Sequence, residues 1–232
     1  STKSERVRNA AINFLRRLSN RTGTFFKEGF PLKHKEGHIK IIFEEVSNLN
    51  IKTDESYTLD IDNTSIQINA KTDVGAIRAL ETLLQLTKND ETDYFFSGVN
   101  ITDAPRFVWR GLMIDSVRHF ISTDTIKRQI DGMAAAKLNV FHWHLTDDQG
   151  WRFESKRYPK LHQRASNNLF YTQKEIKELV RYASLRGIRI VPEFDVPGHA
   201  SAIAVAYPEL MAEQKHYSME QHWGVFEPLL DV

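Results

Sequence analysis

Three short segments of this chain concentrate the residue types that move protons and grip polar ligands. The first is Asp115-Ser116-Val117-Arg118-His119-Phe120. The second is His142-Trp143-His144-Leu145-Thr146-Asp147-Asp148-Gln149-Gly150-Trp151. The third is Glu193-Phe194-Asp195-Val196-Pro197-Gly198-His199. Imidazoles titrate near neutral pH and exchange protons with carboxylates. The Arg118 guanidinium offers a planar fork that suits two neighbouring hydroxyls. Asp147 and Asp195 can orient imidazoles or accept from hydroxyls. Indoles give flat apolar faces for the C–H surface of a ring. His142 and His144 lie two apart, so on a strand both point to one face.

Taken singly, several of these residues read as structural. His119 and Asp148 suit satisfied strand-end positions, Asp124 suits a helix start, and Trp143 and Trp151 suit a core. Asp115 could bridge neighbouring strands. Taken together, so many ionisable groups are costly to bury unless they pair, and their gathering is that of a catalytic cleft. A second chemistry is also open. His-x-His at a strand end begins some binuclear metal sites, so a metal-dependent hydrolase using His142 and His144 stands as an alternative.

The elements that must hold these segments follow from periodicity. Residues 5–19 repeat apolar positions at helical spacing through Val7, Ala10, Ala11, Phe14, Leu15 and Leu18. Ile39–Val46, Tyr57–Ile61 and Ser65–Ala70 read as strands, the last two joined by a turn at 62–64. Asp73 reads as an N-cap for a helix carrying Ala76, Ile77, Leu80, Leu83 and Leu84. This is a small α+β unit, expected to be an antiparallel sheet with helices on one face. Residues 88–95 read as a polar loop, and Asp103-Ala104-Pro105 as a boundary. The expected domains are therefore 1–103 and 104–232.

After Pro105 the rhythm changes to strand and helix in alternation. Strands are expected at Val108–Asp115, Leu138–Leu145 and Ile188–Phe194. Helices are expected at Thr123–Lys137, from Thr172 to Arg186, and over 200–212, with a long loop from Thr146 to Tyr171. Thr172 and Glu175 form a capping box, and Gly187 suits a helix C-cap. Such alternation predicts an α/β fold with a parallel sheet, either a small open sheet or part of a (β/α)8 barrel. All three polar segments then fall at the carboxyl ends of strands, where ligands bind in such folds.

Composition narrows the partners. The 31 Lys and Arg nearly balance the 30 Asp and Glu, so the charge gives no reason to expect nucleic acid. No apolar run is long enough to span a bilayer. The chain has no cysteine, which removes disulfides and thiolate zinc sites. Asn20, Asn63 and Asn100 each begin an Asn-x-Ser/Thr triplet.

Four stretches resemble glycoside hydrolase family 20, the β-N-acetylhexosaminidases. They are residues 110–120, residues 137–152, Tyr182-Ala183-Ser184-Leu185-Arg186-Gly187-Ile188-Arg189, and residues 192–199, in the family's order. The first unit is similar to the domain that family places before its barrel. The resemblance implies an N-terminal α+β domain followed by the first part of a TIM barrel. It implies removal of a terminal N-acetylglucosamine or N-acetylgalactosamine from glycans or chito-oligosaccharides, with no cofactor. The substrate's own acetamide oxygen attacks the anomeric carbon, a Glu protonates the leaving oxygen, and the adjacent Asp orients the acetamide. Residue by residue, it implies that Arg118 holds the sugar's 3- and 4-hydroxyls. Asp147 and His199 form a supporting pair near the acid. His144, Glu193 and Asp195 belong to the polar shell. It also implies an exported protein, in the periplasm, outside the cell or in the lysosome.

One feature of that family is missing. No Asp-Glu dipeptide follows His199; the pairs Asp54-Glu55 and Asp90-Glu91 lie in the first half. The expectation is that these residues carry half a site, that the acid and acetamide-orienting pair lies beyond Val232, and that the isolated chain is inactive. It would bind sugar weakly, or be completed by the missing barrel half or a dimer partner.

Overall fold

The computed structural model describes residues 4–26 and 38–231. Contacts divide the chain into two compact units, Ser1–Arg110 with Asp131–Asn139 and Ser184–Arg189, and Gly111–Ile130 with Val140–Ala183 and Ile190–Val232.

In the first unit, helix α1 (Glu5–Thr22) begins where the Ser4 hydroxyl accepts from the Val7 amide. It stops at Gly23, whose φ of 69° is a left-handed cap. Strands β1 (Ile39–Glu45), β2 (Tyr57–Ile61) and β3 (Ile66–Thr72) follow. β2 and β3 pair antiparallel, and Asp62 accepts from the Thr64 and Ser65 amides in the turn between them. This is the hairpin the alternation predicts. β1 instead runs parallel to β3, so the sheet is mixed and not fully antiparallel. A tight turn would have forced β1 against β2; residues 46–56 are long enough to step past β3.

Helix α2 (Asp73–Gln85) is capped by Thr72, not by Asp73 as expected: the Thr72 hydroxyl accepts from the Val74 and Gly75 amides. Asp73 is buried and accepts from Ser4, Arg6 and Ser47. A buried carboxylate with that many donors serves the tertiary fold better than a cap would. The stretch 88–95, expected as a loop, contains a hairpin of β4 (Thr87–Asn89) and β5 (Tyr94–Phe96). Its polarity is that of the turn, where Asp90 accepts from the Thr92 and Asp93 amides. β6 (Val99–Asp103), unread in the sequence, pairs with β2. Phe14 and Leu18 of α1 meet Leu80, Leu83 and Leu84 of α2 over Leu59 and Ile68 of the sheet.

A buried polar hub completes this unit. Glu55 accepts from Arg78 Nε at 2.7 Å, Arg110 Nη2 at 2.6 Å and Asn139 Nδ2 at 2.8 Å. Arg78 also donates to the carbonyls of Arg186 and Gly187. Burial alone would raise the Glu55 pKa, but Arg78 and then Arg110 outweigh it and hold the carboxyl below its ordinary value.

The second unit is built on strands β7 (Gly111–Asp115), β8 (Val140–Asp147) and β10 (Arg189–Phe194), in the order β10-β8-β7. β7 and β8 are parallel. β7 starts at Gly111, three residues later than expected; the Arg110 amide before it donates to the Asn139 side chain and not to a strand neighbour. The expected long loop 146–171 folds back as β9 (Gly150–Trp151), which pairs with β8, and the short helix α4 (Lys160–Arg164). Arg152, buried, pins that excursion by donating to the carbonyls of Val117 and Ser166.

Helix α3 (Thr123–Ala135) buries Ile126, Ile130 and Met133, much as the pattern predicts. α5 (Gln173–Ser184) opens with the reciprocal Thr172–Glu175 box. α6 (Ser201–Ala206) is half as long as expected and passes into a 3-10 turn at Pro208–Leu210. Proline at 208 cannot continue the ladder of α6. No helix among the described residues is long and apolar enough to cross a membrane.

Candidate active site

Register places the site. Asp115 of β7 lies directly opposite His144 of β8, and Met113 opposite His142. Alternation therefore sends Asp115, His142 and His144 to one face, while Ile114 and Trp143 go to the other. Trp143 is fully buried there, donates from its indole to the Ser116 hydroxyl, and packs on Phe141 and Tyr171. It belongs to the core and offers no face to a ligand.

Asp147 is the centre of the arrangement, with its side chain 1% exposed. One oxygen lies 2.5 Å from Arg118 Nη2 and 2.8 Å from His144 Nε2. The other accepts from the Asp148 amide at 2.7 Å and lies 3.1 Å from His199 Nδ1. Arg118 is oriented from three sides. Its Nη1 donates to Asp115 at 2.7 Å and its Nε to Gln149 at 3.0 Å. A guanidinium has five N–H bonds, so this holding leaves donors over for a ligand. Asp115 is itself fixed by the amides of Val117 and Arg118.

His199 has a φ of 50°, unusual for a non-glycine residue. The loop carrying it also contains a cis Val196–Pro197 bond. Its Nδ1 faces both Asp147 and, at 3.0 Å, Asp148. Asp148 is anchored in turn by the amide and hydroxyl of Ser201 at the start of α6. Glu193 of β10 lies between the two histidines of β8. One oxygen is 2.5 Å from His142 Nε2 and the other 3.0 Å from His144 Nδ1. The His144 Nδ1 contact is close but without hydrogen-bond alignment.

Charge follows from these contacts. Burial disfavours the His144 cation, but Asp147, Asp115 and Glu193 together raise its pKa above the ordinary histidine value. Burial opposes ionisation of Asp147, but His144, the Asp148 amide and Arg118 lower its pKa. Desolvation works against Arg118, and Asp115 and Asp147 raise its pKa despite it. His199 is likewise raised, against desolvation, by Asp147 and then Asp148. Asp147 thus lies among donors that favour its carboxylate form, and Arg118 is held between carboxylates, an arrangement able to grip hydroxyls and to orient a proton donor.

Arg118, His144, Asp147, Glu193 and His199 form one connected constellation. Asp195 sits at its edge, where its backbone amide donates to Thr146 Oγ1. Asp148, Gln149 and Ser201 also take part. Asp148 had read as structural, and Gln149 and Ser201 carry no pattern of their own. The signal for the first two was their place beside Asp147 in the second polar segment. Two groups have metal-ligand spacing among the described residues: His144, Asp147 and Asp195, and Asp147, Asp148 and His199. His142, half of the expected His-x-His metal pair, is in neither. Arg118 already lies 2.5 Å from one Asp147 oxygen.

The chain was compared with known proteins. The family model described as glycosyl hydrolase family 20, catalytic domain, matches residues 107–232, and one described as beta-acetyl hexosaminidase like matches residues 11–86. The beta-hexosaminidase subunit A1 of Dictyostelium discoideum is 38% identical over 206 residues, covering 87% of this chain and 39% of that protein. The beta-hexosaminidase subunit alpha of Rattus norvegicus is 36% identical, covering 89% and 40%. The solved Flavobacterium johnsoniae chitobiase superposes with a TM-score of 0.94 at 49% identity, over 98% of this chain and 35% of that one. A Vibrio harveyi exo-beta-N-acetylglucosaminidase bound to N-acetylglucosamine gives a TM-score of 0.76 at 35% identity, over 98% and 37%. The chain thus spans about two fifths of the curated relatives' length. The α/β architecture expected from the sequence, an α+β domain followed by part of a (β/α)8 barrel, holds over these likenesses.

Proposed function

Because this chain belongs to glycosyl hydrolase family 20, we propose that it forms the sugar-holding part of a β-N-acetylhexosaminidase. The enzyme releases terminal N-acetylglucosamine or N-acetylgalactosamine from the non-reducing end of glycans or chito-oligosaccharides. The observation that carries this reading is the Arg118–Asp147–His199 constellation at the carboxyl ends of the strands. Arg118, braced by Asp115 and Gln149, directs its free N–H bonds to the 3- and 4-hydroxyls of the terminal sugar. Asp147 and His199 support the acid that protonates the leaving oxygen. His144, Glu193 and Asp195 set the charge of the shell around them.

The reaction proceeds with retention through the substrate's acetamide, whose oxygen closes on the anomeric carbon as the glycosidic bond breaks. An adjacent Asp and Glu would orient the acetamide and supply the proton. No such dipeptide follows His199 in these 232 residues. These residues therefore supply the grip and the proton-orienting shell, and turnover needs the acid pair from further sequence. Export, to the periplasm, the cell exterior or the lysosome, fits substrates of this kind.

The test compares two polypeptides on a chromogenic N-acetylglucosaminide. One is the 232-residue chain, expected to be inactive. The other is a longer polypeptide that joins these residues to a segment carrying an Asp-Glu pair, expected to be active. Activity of the short chain would overturn the division of labour. Inactivity of an extended protein carrying an Asp-Glu pair would overturn the enzyme assignment.

A further inference from the structure

We propose that the first unit carries a binding site for a single acidic sugar, one ring bearing a carboxylate, in the cavity that α1 closes with α2 and the last turn of α3. The cavity measures about 360 Å³, and its whole lining belongs to that unit. That volume lies at the small end of ligand pockets, with room for one ring and not for a chain of them.

The lining has a polar and an apolar part. Asn13, Arg16, Arg17 and Asn20 stand three or four residues apart on α1, so one helical stripe brings all four to the cavity. Ala10, Ile77, Ala134, Ala135 and Leu185 supply apolar surface beside them. A pyranose has the same division, with hydroxyls around its edge and C–H bonds on its faces.

Charge sets the sign of the ligand. Three of the four guanidiniums on the lining already face a carboxylate. Arg17 Nη1 donates to both Glu81 oxygens, at 2.6 and 2.7 Å. Arg186 Nε lies 2.5 Å from Asp131, and Arg78 Nε lies 2.7 Å from Glu55. The fourth, Arg16, is exposed and has neither a hydrogen bond nor an ion pair among the described residues. The lining therefore holds one uncompensated positive charge, which one negative charge on the ligand would match. Arg17 spends only Nη1 on Glu81, so its Nε and Nη2 remain as donors. The side-chain amides of Asn13 and Asn20 are likewise uncommitted among the described residues. A carboxylate on the Arg16 fork, with ring hydroxyls on Asn13, Asn20 and Arg17, uses all of these groups. A neutral sugar leaves the Arg16 charge unanswered, and a bare anion leaves the amides unused.

The test titrates backbone amide spectra of the ¹⁵N-labelled chain with glucuronate, N-acetylglucosamine and acetate. Glucuronate should shift the amides around Asn13, Arg17, Asn20 and Glu81 and saturate with a dissociation constant of about 1 mM, what a ligand of this size gains at ordinary efficiency. N-acetylglucosamine and acetate should leave those amides unmoved at the same concentration. Arg16→Gln should weaken glucuronate at least about tenfold, the loss of one charge-assisted hydrogen bond. Arg16 has no partner to lose, so the variant should fold, and its unliganded spectrum checks this. Asn20→Ala should weaken binding by less. Four outcomes overturn the proposal: no saturable glucuronate shift, equal shifts with acetate, undiminished binding in Arg16→Gln, or shifts confined to the residues around Arg118. The cavity shares no residue with the Arg118–Asp147 constellation, so either result leaves the hexosaminidase reading standing.

Discussion

His199 presents its Nδ1 to Asp147 at 3.1 Å from a backbone in the left-handed region, at φ 50°. That conformation costs a non-glycine residue roughly 1 kcal/mol. It persists because Asp148, held by Ser201, faces the same nitrogen and closes the loop on α6. Local strain is thus held by contacts that belong to the site.

Asp147→Asn should be the most damaging isosteric change. It leaves Arg118 and His144 facing a neutral amide in a buried place. Removing one partner of such a set costs about 3–5 kcal/mol. Urea unfolding of the chain should show the loss as a lowered midpoint at unchanged slope. A midpoint within experimental scatter of wild type would refute it.

Arg118→Lys keeps the charge and removes the fork. Lysine cannot brace on Asp115 and Gln149 while still reaching two hydroxyls. In the extended enzyme, kcat/KM for an N-acetylglucosaminide should fall about 10- to 100-fold, the worth of one charge-assisted bond. Unaltered kinetics would place the sugar elsewhere.

Stability should depend on pH with two opposite signs. His144 and His199 have raised values, so what they contribute is complete below the ordinary 6.5 and is lost as pH rises through their folded values. Asp147 has a lowered value, so its contribution is present above 3.8 and is lost as pH falls toward its folded value. Unfolding midpoints across pH should therefore show a plateau between those limits and decline on both sides. His199→Gln should flatten part of the alkaline decline and leave the acid one; an unchanged alkaline slope counts against His199 as a contributor.

Glu55→Gln should destabilise the first unit. Arg78 is 2% exposed, and its guanidinium would lose its carboxylate partner Glu55. The expected cost is about 3 kcal/mol. Thermal unfolding by circular dichroism should show it, and Glu55→Asp should recover little, because the shorter side chain cannot reach Arg78, Arg110 and Asn139 together. Stability equal to wild type in Glu55→Gln would mean the hub is dispensable.

Gly75→Ala is a steric test of how α2 lies on its sheet. An added methyl would sit 2.3 Å from the Ser56 carbonyl oxygen, which is backbone and cannot swing away. Overpacking of this kind costs about 1–3 kcal/mol despite the better helix propensity of alanine. A gain in melting temperature would contradict it.

Much of this was legible from residue order alone. Period-two and period-3.6 patterns depend only on neighbours, so the strands carrying Asp115, His144 and Glu193 and the helix of Ile126 and Ile130 could be placed in advance. Gathering Arg118, Asp147 and His199 at strand ends followed from that placement. What the pattern left out was decided by long-range contact. Asp73 became a buried acceptor because Arg6 and Ser47 reach it, which freed Thr72 to cap the helix. β1 took the parallel edge of β3 because its connection was long enough to pass over it. Trp143 was turned to the core by register, and Asp148 was drawn into the site by Ser201, fifty-three residues away. The sequence by itself determined which chemistry was available at each strand end. Only the tertiary structure decided which oxygen faces which nitrogen, because charge state and hydrogen-bond direction arise between elements that sequence spacing does not bring together.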